Sequence, residues 1–139
     1  MGEQDPIELA ARALQHRDRS RRDLEERLAR AGIDADTRND ALETLERVGY
    51  LDDERFAGAR AEALAGRGYG DAWIRHDLAG HGVAAEVVAT AIGALVPEAE
   101  RAAALVERLG STSKTGARLA RKGFGHDSLE AALGMDVAG

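Results

Sequence analysis

The residues able to do chemistry in this chain of 139 are mostly charged, and their spacing argues against a catalytic centre. Asp52, Asp53 and Glu54 stand in a row, but three consecutive carboxylates at a helix start do not converge on one ion without further ligands. They read as a helix cap followed by the acids of a first turn. His76 and His81 are five apart, out of phase for one helix face, and no acidic or cysteine companion stands at zinc spacing. Gly66-Arg67-Gly68-Tyr69-Gly70 has the glycines of a phosphate cradle, yet it lacks the lysine-serine ending of a P-loop and follows a helical segment, so it reads as a flexible turn between helices. Ser20, Ser111, Ser113 and Ser128 belong to no nucleophile motif with an identifiable base. The expectation is a protein without catalytic residues, metal or cofactor.

What remains for function is binding. The basic residues that helical phase leaves off the apolar stripes are Arg17, Arg19, Arg21 and Arg22, with Arg27 and Arg30 following, then Arg67, Arg75 and His76, then Arg108, Lys114, Arg118, Arg121 and Lys122. Arg17, Arg67 and Arg108 recur at offsets of 50 and 41. Such a ladder fits a periodic partner, and it equally fits cations set against the carbonyls at helix C-termini. Arginine's flat fork suits carboxylate and phosphate alike, so residue type alone does not separate a protein surface from DNA. Trp73, the one tryptophan, stands beside Arg75, where it could stack on a base, anchor a protein interface or pack between modules.

The net charge of −6 argues against simple coating of nucleic acid, but the charges are unevenly placed. Residues 12–30 balance to +3 and residues 101–125 to +5, while residues 31–66 balance to −5. Two basic ends around an acidic middle fit a partner surface of mixed sign, or simply solvated helix faces.

The elements that position these residues are helices. A hydrophobic content of 44% with only 4% aromatic residues and two prolines favours Ala- and Leu-rich helix over sheet, so the fold class is all-α. A repeat organises them: Ser20, Leu24, Leu28, Gly32, Ile33 returns as Gly70, Ile74, Leu78, Gly82, Val83 and again as Ser111, Thr115, Leu119, Gly123, Phe124. Leu14, Leu64 and Leu105 precede each copy, and Ala41-Leu42, Ala91-Ile92 and Ala132-Leu133 follow. Self-similarity at this period signals stacked supersecondary modules. Each module reads as three helices. The first has helices from Ile7 to about Arg17, from the N-cap Ser20 to the stop at Gly32, and from about Ala35 to Val48, with Tyr50 and Leu51 packing after Gly49. The second has Phe56 to Leu64, Trp73 to Leu78 and Ala84 to Leu95; the third has Glu98 to Leu109, Lys114 to Arg121 and Asp127 to Leu133. The expected units are residues 7–51, 52–97 and 98–137, with fraying before Ile7 and after the last helix. No cysteine is present, no apolar run approaches the ~20 residues of a membrane span, and the first residues lack a signal peptide's pattern, so a soluble cytoplasmic protein is expected.

The string Gly49-Tyr50-Leu51-Asp52-Asp53-Glu54-Arg55-Phe56-Ala57, followed by Gly68-Tyr69-Gly70, Ile74-Arg75, Leu78 and Gly82-Val83, closely resembles the RecX family of recombination regulators. The resemblance covers nearly the whole chain and is most specific in residues 49–83. It implies three tandem three-helix repeats in a curved, elongated array. It further implies a non-enzymatic regulator of homologous recombination and DNA repair that binds RecA, in the groove of its filament on single-stranded DNA, and limits filament growth and activity. A monomer with secondary direct contact to DNA is expected. The acidic net charge departs from a basic family pattern and shifts weight from DNA toward protein contact. A stand-alone DNA-binding protein and a helical adaptor for another partner are the competing readings.

Overall fold

The computed structural model describes residues 5–134, and all the secondary structure among them is helical. The order is α1 (Pro6–His16), α2 (Arg21–Arg30), α3 (Ala35–Arg47), α4 (Asp53–Gly66), α5 (Asp71–Gly80), α6 (Ala85–Gly93), α7 (Glu98–Leu109), α8 (Ser113–Arg121) and α9 (His126–Leu133). The expected fraying concerns end segments that lie largely outside the described residues; at the near end α1 begins at Pro6, with the Asp5 carboxylate accepting from the amides of Ile7 and Glu8.

The principal helix packing falls into three groups, α1 with α2 and α3, α4 with α5 and α6, and α7 with α8 and α9. Each group encloses its own core. Ala10, Leu24, Leu28, Leu42 and Leu45 fill the first, Phe56, Ala61, Ile74, Leu78 and Val88 the second, and Ala102, Val106, Leu119, Phe124 and Leu129 the third. Cores this small bury too little to be stable alone, so the joints between groups contribute to the stability of all three.

The middle helices α2, α5 and α8 end alike. Their last residues pass into a glycine of positive φ, and the hydrophobe after it returns its amide to the helix: Ile33 to the Leu28 carbonyl, Val83 to Leu78 and Phe124 to Leu119. This Schellman turn drops Val83 and Phe124 into their cores, as the spacing predicts. The turn after α3 differs from expectation. The amides of Tyr50 and Leu51 both donate to the Leu45 carbonyl, so the chain makes one further step inward and Leu51 takes the buried place. Tyr50 is left 63% exposed, and Val48, which caps the helix, is 59% exposed.

Candidate partner-binding face

The three groups meet end to end along their middle helices. At the first joint the Ser20 hydroxyl, at the start of α2, donates to the carbonyl of His81 at the end of α5, at 2.7 Å. At the second, the amides of Gly70 and Ala72, at the start of α5, donate to the carbonyls of Lys122 and Gly123 at the end of α8, at 2.8 and 3.2 Å. A carboxylate from the following group completes each joint: Asp53 accepts from the Arg21 amide and Glu98 from the Asp71 amide, both at 2.7 Å. Helix N-termini with their unsatisfied donors therefore rest on acceptors of the next group, which satisfies both and aligns the helix dipoles favourably.

The fit is close enough to exclude a side chain. A Cβ at Gly70 would stand 2.4 Å from the Phe124 amide nitrogen and 2.5 Å from the Gly123 carbonyl, and one at Gly123 would meet the Trp73 backbone at 2.6 Å. The stretch from Gly66 to Gly70, read from sequence as a flexible turn, is thus half of a joint, with Gly70 buried in it.

End-to-end placement gathers the middle helices into one row, and the row's charge differs from that of the whole chain. Its acids are nearly all consumed: Asp23 lies 3.0 Å from His81, Glu25 holds Arg38 at 2.7 Å, Asp71 holds Arg101 at 2.8 Å and Asp77 holds Arg60 at 2.8 Å. The Arg60 hydrogen bond keeps the Asp77 carboxyl below its ordinary pKa and raises that of the guanidinium. Of the row's carboxylates only Glu26 is unpaired among the described residues, whereas Arg27, Arg30, Arg75, Lys114, Arg118 and Arg121 are exposed and make no ion pair or hydrogen bond there. The third helices carry the opposite balance, with Asp36, Asp40, Glu86 and Asp127 exposed on α3, α6 and α9. A net charge of −6 thus conceals a basic row.

The candidate cations divide accordingly. Arg75, Lys114, Arg118 and Arg121 lie free on the row with His76, which is also exposed. Arg22 lies across the Gly82 turn, 3.5 Å from the Gly80 carbonyl, and so belongs partly to the first joint. Arg21 is committed inside its own group, paired with Glu46 and donating to Asn39 at 2.7 Å. Lys122 donates to the Arg67 carbonyl at 2.8 Å and stands 4.5 Å from the Tyr69 ring centroid, a joint contact. Arg17, Arg67 and Arg108 sit at or next to the ends of α1, α4 and α7, off the row, but the bond to a helix-end carbonyl falls to Arg19, whose Nε donates to Ala13 at 3.3 Å. Burial, with Arg17 and Arg27 nearby, lowers the Arg19 pKa.

Asp52 caps α4 as expected, accepting from the amides of Glu54 and Arg55, but Asp53 reaches out of its own helix to α2. Glu98 does more. One oxygen takes the Asp71 amide, and the other takes the Gly125 amide at 3.0 Å and the Ser128 hydroxyl at 2.7 Å. Partial burial pushes this carboxyl up, and the three hydrogen bonds together with the Arg101 charge more than offset it, leaving the pKa below its ordinary value. No group of acids and histidines among the described residues is arranged to hold a metal, and no described helix is long and apolar enough to cross a membrane.

Known proteins place this architecture. Residues 52–92 match the family model described as RecX, second three-helix domain. The chain is 34% identical to the regulatory protein RecX of Xanthomonas axonopodis pv. citri (strain 306), over 97% of this chain and 90% of that protein. It is 33% identical to the regulatory protein RecX of Stenotrophomonas maltophilia (strain R551-3), over 96% and 88%. The crystal structure of RecX from Lactobacillus salivarius superposes with a TM-score of 0.81 over 93% of this chain and 92% of that one, at 18% identity, a likeness of fold. With a relative this similar across nearly its full length and the same tandem helical fold, the chain belongs to the RecX family.

Proposed function

We propose that this protein regulates homologous recombination without catalysing a reaction, by laying the row of α2, α5 and α8 against a RecA filament on single-stranded DNA and limiting its growth and activity. The observation that carries the reading is the unpaired basic row, built across all three groups from cations that no internal partner consumes. A helical polymer repeats its surface, and a tandem array repeats its own, so each module meets a comparable patch. Modest contacts linked in one chain then combine through effective concentration into a bound state stronger than any of them. Inhibition follows from occupancy: the filament's surface is covered and no bond is made or broken.

The test is RecA's single-strand-dependent ATPase and strand exchange with added protein. Both fall as the protein is titrated in. Replacing Arg27, Arg30, Arg118 and Arg121 by Gln raises the half-inhibiting concentration at least tenfold, while helical content is kept and the melting temperature falls only by what these last-turn charges contribute at the ends of α2 and α8, because none of the four has an ion-pair or hydrogen-bond partner among the described residues. Unchanged ATPase and strand exchange at several-fold molar excess over filament sites would overturn the proposal.

A further inference from the structure

Each joint is made from two halves, and the array ends with one half of each kind unused. The receiving half is the glycine turn that closes a middle helix. At Gly82 and Gly123 the preceding group is seated so closely that a Cβ would stand 2.5 Å from the Arg22 side chain and 2.6 Å from the Trp73 backbone. Gly32 closes α2 with the same turn, at φ +83°, and a Cβ there would meet nothing within 4 Å. Ala31 and Gly32 are exposed, and their carbonyls, unlike those of His81, Lys122 and Gly123, accept no hydrogen bond among the described residues. The inserting half is the start of a middle helix, and that of α8 is free. It begins one residue late: Thr112 caps it, and the Ser111 hydroxyl turns inward to the Leu133 carbonyl at 3.0 Å. Ser113 and Lys114 stay exposed with amides that find no acceptor among the described residues.

We propose that copies of this chain join head to tail, with the start of α8 in one copy seated on the bare Ala31–Gly32 turn of the next. The middle helices then run on from copy to copy as they run on from group to group. The occupant follows from the fold, because the surface that already fits two such turns is another middle-helix start of the same repeat. The two surfaces are different, so the contact is heterologous and builds an open chain of copies instead of a closed dimer. Inside one copy the peptide link between groups holds each joint at a high effective concentration. Between copies that help is absent, and the dissociation constant in free solution is on the order of 0.1–1 mM. Copies already held in line by a periodic partner regain the help, so even a weak joint makes neighbours bind together. Seated as at the first joint, Ala31 takes the place of His81. Lys114, five residues before Leu119 as Asp23 is before Leu28, takes the place of Asp23. A charge introduced at position 31 therefore faces Lys114 of the neighbouring copy.

The test is sedimentation equilibrium of the full chain, without RecA or nucleic acid, from about 20 µM to about 1 mM. The weight-average mass rises with concentration and passes that of a dimer without levelling. Ala31→Glu, which meets Lys114, tightens the association about threefold, and Ala31→Arg loosens it about threefold. In a Lys114→Glu background the order of the two reverses. General repulsion predicts otherwise, since the chain carries −6 and an added Arg lowers its net charge, which would favour association in both backgrounds. Position 31 is the exposed C-cap of α2, so neither variant disturbs a core, and circular dichroism confirms that each is folded. A mass that stays monomeric to the highest concentration, one that levels at a dimer, or an order that does not reverse overturns the proposal. The proposal goes beyond the regulatory reading and needs no RecA, so its failure leaves inhibition of the filament untouched, and failure of inhibition leaves the association of copies untouched.

Discussion

The two joints of the array use the same positions and different chemistry. In each, the residue just before the turn glycine of one middle helix reaches back to the group before it: His81 at the first joint, Lys122 at the second. What they meet differs, since Asp23 stands three residues after the cap of α2, whereas Tyr69 stands one before the cap of α5. The first joint closes on itself, with Asp23 on His81 at 3.0 Å and Phe56 edge-on to the imidazole with centroids 5.3 Å apart. The second supports an aromatic stack whose outer ring stays open. The two joints therefore keep the same end-to-end placement by different ties, the Ser20 hydroxyl and the Asp53 carboxylate at the first, and amide–carbonyl bonds packed on Gly70 and Gly123 with the Glu98 carboxylate at the second, and the side chains around them form an internal tie at one joint and an open stack at the next.

The largest way to break this comparison is to disturb the shared frame. Gly70→Ala places a methyl group against the backbone of Gly123 and Phe124, and the two inter-group amide bonds must yield with it. The expected cost is about 2–4 kcal/mol in denaturant unfolding, combining overpacking with lost hydrogen bonds. A loss confined to the third group, seen as early amide exchange in α7 to α9, would show that the second joint couples less tightly than its geometry requires.

The carboxylate ties come next. Glu98→Gln turns an amide nitrogen toward donors that now face an oxygen, at a cost of about 1–3 kcal/mol near neutral pH. The folded pKa of Glu98 lies below its ordinary 4.5, so its contribution is fully present above that value and disappears as pH falls through the folded pKa. The stability gap between the unmodified protein and Glu98→Gln should therefore narrow as pH is lowered below about 4.5, measured by urea titration at a series of pH values. A gap that held constant into acid would remove the ionised carboxylate from the joint.

Smaller effects sharpen the contrast in chemistry. A double-mutant cycle between Asp23→Ala and His81→Ala should give a coupling of no more than about 1 kcal/mol, as expected for a partly exposed pair. Lys122→Met keeps the apolar stem and removes the bond to the Arg67 carbonyl, with an expected loss of about 0.5–1.5 kcal/mol. Trp73→Ala should change stability least, because the indole fills no core; a large loss there would make the stack a structural element like its counterpart at the first joint.

The modules were legible in the sequence because helical period and a turn glycine are local signals. Leu24, Leu28 and Gly32 announce a buried face and its end within nine residues, and the spacing returns as Ile74, Leu78, Gly82 and as Thr115, Leu119, Gly123. The joints were not legible. Asp53 meets Arg21 across 32 positions and Ser20 meets His81 across 61, and no periodicity within a helix reports which loop of the next group will face it. Asp53 consequently read as a first-turn acid and Gly66–Gly70 as a loose turn. The basic residues were visible one by one, but their concentration on one row depended on knowing which acids were already engaged. Asp77 and Asp71 look like neutralising charges in sequence until Arg60 and Arg101 are seen to hold them. Tyr50 was misplaced for a smaller reason, since a second amide returning to Leu45 brings Leu51 inward in its stead.

The regulatory account rests on which side of the array meets its partner, and an electron cryo-microscopy map of the protein with RecA, nucleotide and single-stranded DNA tests that directly. The account predicts the protein seated along the filament with α2, α5 and α8 against it and Arg27, Arg30, Arg118 and Arg121 in the contact. A bare filament, or one contacted by the acidic helices α3, α6 and α9 with the basic row turned to solvent, would contradict it.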